Sequence, residues 1–124
     1  MNYVIKNRAS NKIRQFYRNV AKKYRHTYSI EQMLANIDLA IDGIFQIENG
    51  LQRRTPTISR WDGLYMATSK DRKWNYAYKI SKETIYGVDA CHSQNMHENV
   101  LRLSEHQFKH MIVECVTKIL KGIA

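Results

Sequence analysis

The chain of 124 residues has one proline, five glycines and two cysteines. So little proline and glycine leaves no room for a low-complexity linker, and the length suits one domain with a real core. No apolar run approaches the roughly 18 residues that a membrane-spanning helix needs. The opening Met-Asn-Tyr-Val-Ile-Lys-Asn-Arg lacks the apolar stretch of a signal peptide and reads as a first strand. These absences imply a cytoplasmic protein with no membrane partner. Cys91 and Cys115 are then expected to be thiols rather than a disulfide. Acid is also missing from residues 1 to 30, which carry Lys6, Arg8, Lys12, Arg14, Arg18, Lys22, Lys23 and Arg25. Four acids and no base follow in residues 31 to 50, and eight bases against Asp62 and Asp71 in residues 51 to 82. The net charge of +9 therefore sits in two basic segments. Together they would attract a phosphate backbone; apart, they are solvated faces.

Periodicity supplies the elements. Tyr3 to Asn7 is a short strand, and Ser10 is placed to cap a helix whose Ile13, Phe16, Tyr17, Val20, Ala21 and Tyr24 form one stripe. Ser29-Ile30-Glu31-Gln32 is a capping box that opens a second helix, expected to run through Met33, Leu34, Ile37, Ile41, Ile44, Phe45 and Glu48 and to close at Gly50. The two make an αα-hairpin. Thr57 to Trp61, Leu64 to Thr68, Trp74 to Ile80 and Thr84 to His92 read as strands, giving an α+β fold. Ser104 opens a second capping box before an amphipathic stretch, Leu103 to Leu120. That stretch is read as a C-terminal helical tail over residues 99–124, behind a domain over residues 1–98, and suits either the core or a partner's groove.

The densest signal is Trp74 to Glu98. Trp74, Tyr76, Tyr78 and Ile80 alternate with Asn75, Ala77 and Lys79, Ser81-Lys82-Glu83 makes a turn, and Thr84 to Ala90 returns before the polar group Cys91-His92-Ser93-Gln94-Asn95. With Gly63-Leu64-Tyr65 upstream, the region from residue 3 to residue 98 resembles the RelE/ParE toxins of bacterial type II toxin–antitoxin pairs. That resemblance implies an α+β domain: an N-terminal strand and αα-hairpin packed on an antiparallel sheet, with a C-terminal helix and a basic concave face. It implies a cognate antitoxin as partner. RelE-like members cut messenger RNA on the ribosome, whereas ParE-like members inhibit DNA gyrase without cutting. The strand arginine of the RelE-like members falls here on Asn75, and neutral amide cannot hold phosphorane charge as guanidinium does.

On this reading His92 is the candidate general acid or base, since imidazole titrates near neutrality, and Arg72 and Lys79 are the candidate phosphate holders. Its plain alternative is a hydrogen-bonding residue at a strand end. Arg53, Arg54, Arg60, Lys73, Asn75 and Gln94 are the candidate RNA contacts. No cofactor is implied. Cys91, His92 and His97, or His106 with His110, lack the four well-spaced ligands of a structural zinc site, so no metal is expected.

Overall fold

A computed structural model describes residues 1–96. The chain divides into two units, Met1–Ser93 and Gln94–Ala124. The division falls a few residues before the expected boundary after residue 98. The proposed tail helix, Cys115, His97, His106 and His110 lie outside the described residues.

The first unit is α+β, with a four-stranded mixed sheet. Its elements run β1 (Asn2–Ile5), α1 (Asn7–Lys23), α2 (Ile30–Asp42), β2 (Tyr65–Thr68), β3 (Trp74–Ser81) and β4 (Thr84–His92). The sheet order is β1-β4-β3-β2. β2, β3 and β4 form the expected antiparallel meander, but β1 pairs with β4 in parallel, so the sheet is not antiparallel throughout. A helical hairpin joins β1 to the rest of the chain, and a crossover of that length is what a parallel pairing requires.

In α1, Ala9, Ile13 and Tyr17 are buried while Arg18, Lys22 and Lys23 face outward. Lysines in the last turn complement the helix dipole. Ser10 does not cap this helix: α1 starts at Asn7, and the Ser10 hydroxyl donates to the Asn7 carbonyl within it. The second cap forms as read. The Ser29 hydroxyl accepts from the Gln32 amide at 3.1 Å, and the Ser29 amide donates to the Gln32 side chain at 2.8 Å.

α2 ends sooner than its apolar pattern suggested. The α-helix stops at Asp42 and tightens into a 3₁₀ turn over Gly43–Gln46. There the Tyr76 hydroxyl of β3 donates to the Ala40 carbonyl, and the same phenol occupies the space a side chain on Gly43 would take. Close contact with the sheet therefore governs the helix end. The left-handed residue beyond it is Glu48 (φ 66°), not Gly50.

The expected strand at Thr57 to Trp61 is also absent. Ser59–Trp61 is a 3₁₀ turn, which puts Ile58 and Trp61 on one side of the chain, both buried. Sheet propensity was outweighed by this packing.

β3 and β4 meet in a tight hairpin, Ser81 opposite Thr84, with Lys82 (φ 49°) and Glu83 (φ 60°) both left-handed. Two such residues define the hairpin turn whose twist matches the strands, here built without glycine. Ala77 opposes Asp89 and Tyr78 opposes Gly87, so Val88 is an extra residue on β4. This bulge keeps Asp89 and Cys91 on the face of Ala77 and Asn75. The opposite face carries Trp74, Tyr76, Tyr78, Ile85 and Ala90 and packs on Ala9, Ile13, Tyr17, Ile37, Ala40 and Ile44 to form the core.

Candidate nucleic-acid interface

Polar chemistry gathers where β3 begins and β4 ends. The β2–β3 turn is shaped by Asp71, whose Oδ1 accepts from the Ser69 hydroxyl at 2.6 Å and the Lys73 amide at 3.0 Å. Those bonds hold the Asp71 carboxyl below its ordinary pKa against the opposing effect of burial. Arg72 sits in the same turn with a left-handed backbone (φ 63°), and its carbonyl accepts from the Ser93 hydroxyl at the end of β4.

Asn75 is buried inside the resulting network. Its Nδ2 donates to Ser93 Oγ at 3.1 Å, its Oδ1 accepts from Thr68 Oγ1 at 2.8 Å, and Thr68 Oγ1 accepts from Arg54 Nη1 at 2.8 Å. Asn75 thus joins three strand ends and is only 7% exposed, which makes it scaffold rather than the RNA contact expected of it. A buried amide with both ends satisfied stabilises the region; an arginine in the same space would break the network.

Arg54 and Arg72, both named from sequence, line one open hollow of about 510 Å³ together with Gly50, Leu51, Gln52, Thr68, Ser69 and Lys70. Three cations and no carboxylate face this space. Lys70 was missed by the sequence reading, although it lies in the same charged turn as Arg72. Guanidinium and ammonium donors around a hollow of this size suit a phosphate with its sugar.

His92 lies nearby but faces the aromatic side of the sheet. Its ring stacks on Phe16 at 4.1 Å with 8° between planes and meets the edge of Trp74 at 5.3 Å. Burial, and then the charge of Lys73, push its pKa below the ordinary value. Both effects disfavour the charged imidazolium.

Lys79 does not join this group. It pairs with Tyr86, five residues along β3 from the Trp74–His92 pair, which places it roughly 17 Å away and on the other face. Its ammonium lies 5.8 Å from the Tyr86 ring, which Lys6 also approaches, at 5.4 Å. The set His92, Arg72 and Lys79 is thus not one site, because strand parity says which face a residue takes but not how far along the strand its partners lie.

The remaining candidates scatter. Arg53 makes two bonds to Glu48, at 2.9 and 3.0 Å, and covers the Tyr65 ring at 4.1 Å. Glu48 also accepts from the Tyr78 hydroxyl, and its carboxyl is held below the usual range, first by Arg53. Lys73 donates its amide to Asp71 and accepts from the Ser93 amide, leaving an exposed side chain at the same sheet end. Gln94 belongs to the second unit. No trio of His, Cys, Asp or Glu able to hold a metal occurs among the described residues.

The largest surprise is Asp89. It is 4% exposed in the middle of β4, and its Oδ2 accepts from the Trp61 indole at 2.8 Å while Oδ1 accepts from the Ala90 amide at 2.9 Å. Around it stand Arg8 and Lys12 of α1, each at 3.4 Å, and Arg60 at 3.6 Å. Burial acts to raise its pKa, but the indole bond, Lys12, the Ala90 amide and Arg8 together lower it. Arg8 and Lys12 of the first basic segment and Arg60 of the second meet here over a single acid. The available signal was Asp89 itself: a carboxylate between Val88 and Ala90 in a buried strand demands cations and donors.

The chain matches no protein-family model, no curated protein and no solved structure. No helix among the described residues is long and apolar enough to cross a membrane.

Proposed function

We propose that this protein is a RelE/ParE-like toxin of a bacterial type II toxin–antitoxin pair, acting in the cytoplasm on messenger RNA in the ribosome and neutralised by a cognate antitoxin. The observation that carries the reading is the hollow bordered by Arg54, Lys70 and Arg72 at the sheet end, which gathers three cations with no carboxylate in its lining. The element order from β1 through the helical hairpin to the three-strand meander supports it.

In cleavage, the 2′-oxygen of the RNA loses its proton and attacks phosphorus. The bond from phosphorus to the 5′-oxygen breaks, and that oxygen takes a proton from water. Arg72, with Lys70, would neutralise the phosphate, whereas His92, packed on Phe16 on the other face of the sheet and outside the hollow's lining, would leave the first proton to pass to water. Lys79 has no part in this scheme.

A second reading is favoured by a specific observation. Asn75, at the position of the phosphate-stabilising strand arginine, is buried in structural hydrogen bonds. That supports a non-enzymatic toxin of the gyrase-inhibiting kind, or a member that only binds its antitoxin. Primer-extension mapping of messenger RNA from expressing cells separates the readings. Cleavage at defined codons that disappears in Arg72→Ala supports the nuclease; growth arrest with intact messages rejects it for the inhibitor, and neither effect leaves antitoxin binding.

A further inference from the structure

We propose that Arg8, Lys12 and Arg60, gathered on Asp89, form a second phosphate-binding site that takes a backbone phosphate of single-stranded RNA, separate from the hollow. This deepens the proposed function and rests on RNA being the target.

The three cations come from two elements, α1 and the 3₁₀ turn at Ser59–Trp61, yet converge on one carboxylate. Asp89 already accepts short bonds from the Trp61 indole and the Ala90 amide, at 2.8 and 2.9 Å. The cations stand further off, at 3.4 to 3.6 Å, and both arginines approach through Nε. Arg60 also lies over the Trp61 ring, 5.8 Å from its centroid. The side chains of Arg8, Lys12 and Arg60 are 63, 38 and 35% exposed, whereas that of Asp89 is 6% exposed.

The cluster therefore presents three positive charges to solvent while its single negative charge lies beneath them. A carboxylate in this position orients the three cations and offsets only one of their charges, and Asp89 is a positioning residue for the site. The surplus favours an anionic ligand, and guanidinium forks suit phosphate oxygens.

The site also has a row of its own on the sheet. Arg54 bridges Met66, Met66 pairs with Ala77, and Ala77 pairs with Asp89. At about 4.8 Å per step, Arg54 and Asp89 lie roughly 14 Å apart. Two sites at that separation can hold different phosphates of one strand.

The test uses the full chain and a fluorescein-labelled 20-nucleotide oligouridine, with affinity read by anisotropy across a salt series. Arg8→Gln with Lys12→Gln should weaken binding on the order of 10-fold and flatten the salt dependence by about 0.7 in log–log slope, the change for one single-strand phosphate no longer neutralised. Lys70→Gln with Arg72→Gln should weaken binding independently. Equal affinity and slope in the Arg8/Lys12 variant, with weakening confined to the Lys70/Arg72 variant, would overturn the second site and leave the RNA reading standing. A wild type that does not bind the oligouridine removes both.

The two tryptophans provide a readout that does not depend on affinity. Trp61 donates to Asp89 and Trp74 donates to Tyr17, so RNA should move the Trp61 indole NMR signal further than that of Trp74. Retention of that Trp61 shift in the folded Arg8/Lys12 variant would overturn the site.

Discussion

The two faces of the sheet solve the same problem by different chemistry. On the helix side, Trp74, Tyr76 and Tyr78 bury their rings and direct their polar tips to Tyr17, Ala40 and Glu48. Each ring contributes apolar area first and a hydrogen bond second. On the other side, Asn75 and Asp89 are buried polar groups, flanked by Ala77 and Cys91 and accompanied by the buried Ile58 and Trp61. Burial there holds only while every polar atom keeps its partner. The helix face should thus fail by misfit, and the polar face by loss of a charge or a hydrogen bond.

The sharpest break in that contrast is Asp89→Ala. It removes two short bonds and leaves three cations facing each other, so it should cost about 3 kcal/mol in urea denaturation. Asp89→Asn keeps the shape and should cost less. Because the folded pKa of Asp89 is depressed, its stabilisation is present above the unfolded value near 3.9 and is lost as pH falls through the folded value. The wild type should accordingly lose more stability below about pH 4 than Asp89→Asn. Equal acid sensitivity would show that the cations contribute nothing through Asp89.

Gly43→Ala tests the helix face by misfit, since the new methyl meets the Tyr76 phenol. We expect a loss of about 2 kcal/mol. The double variant with Tyr76→Phe should lose less than the two single costs added, because the colliding oxygen is gone. Additive losses would mean that this close approach does not limit the helix end.

Asn75→Arg is next, at about 1.5 kcal/mol, from broken bonds to Thr68 and Ser93 and from excess volume. Full stability together with gained RNA cleavage would show that the Asn75 network is dispensable.

The smallest effect belongs to His92. Its folded pKa is depressed, so below about pH 6.5 the unfolded chain binds the proton more readily. Stability is complete above that value and falls as pH drops towards the folded one. His92→Phe keeps a ring against Phe16 and should show a smaller drop in Tm between pH 7.5 and 5.5 than the wild type. A parallel drop in both would assign the pH response elsewhere.

Much of the framework was legible because it is local. The Ser29–Gln32 cap, the stripe of α1, the alternation of β3 and the turn at Lys82 and Glu83 each depend on residues a few positions apart. Less was legible in the site. Arg54 and Arg72 do share a hollow, but Asn75 is scaffold and Lys79 lies far along its strand.

What the sequence by itself determined is the set of amphipathic faces and turns, since backbone hydrogen bonding and side-chain period are local properties. Tertiary structure alone decided the end of α2 at Tyr76, the 3₁₀ turn that buries Trp61, the parallel pairing of β1, and the meeting of Arg8, Lys12 and Arg60 on Asp89. Each of those joins groups distant in the chain. Their energy comes from packing and desolvation, which exist only once the strands have been laid side by side.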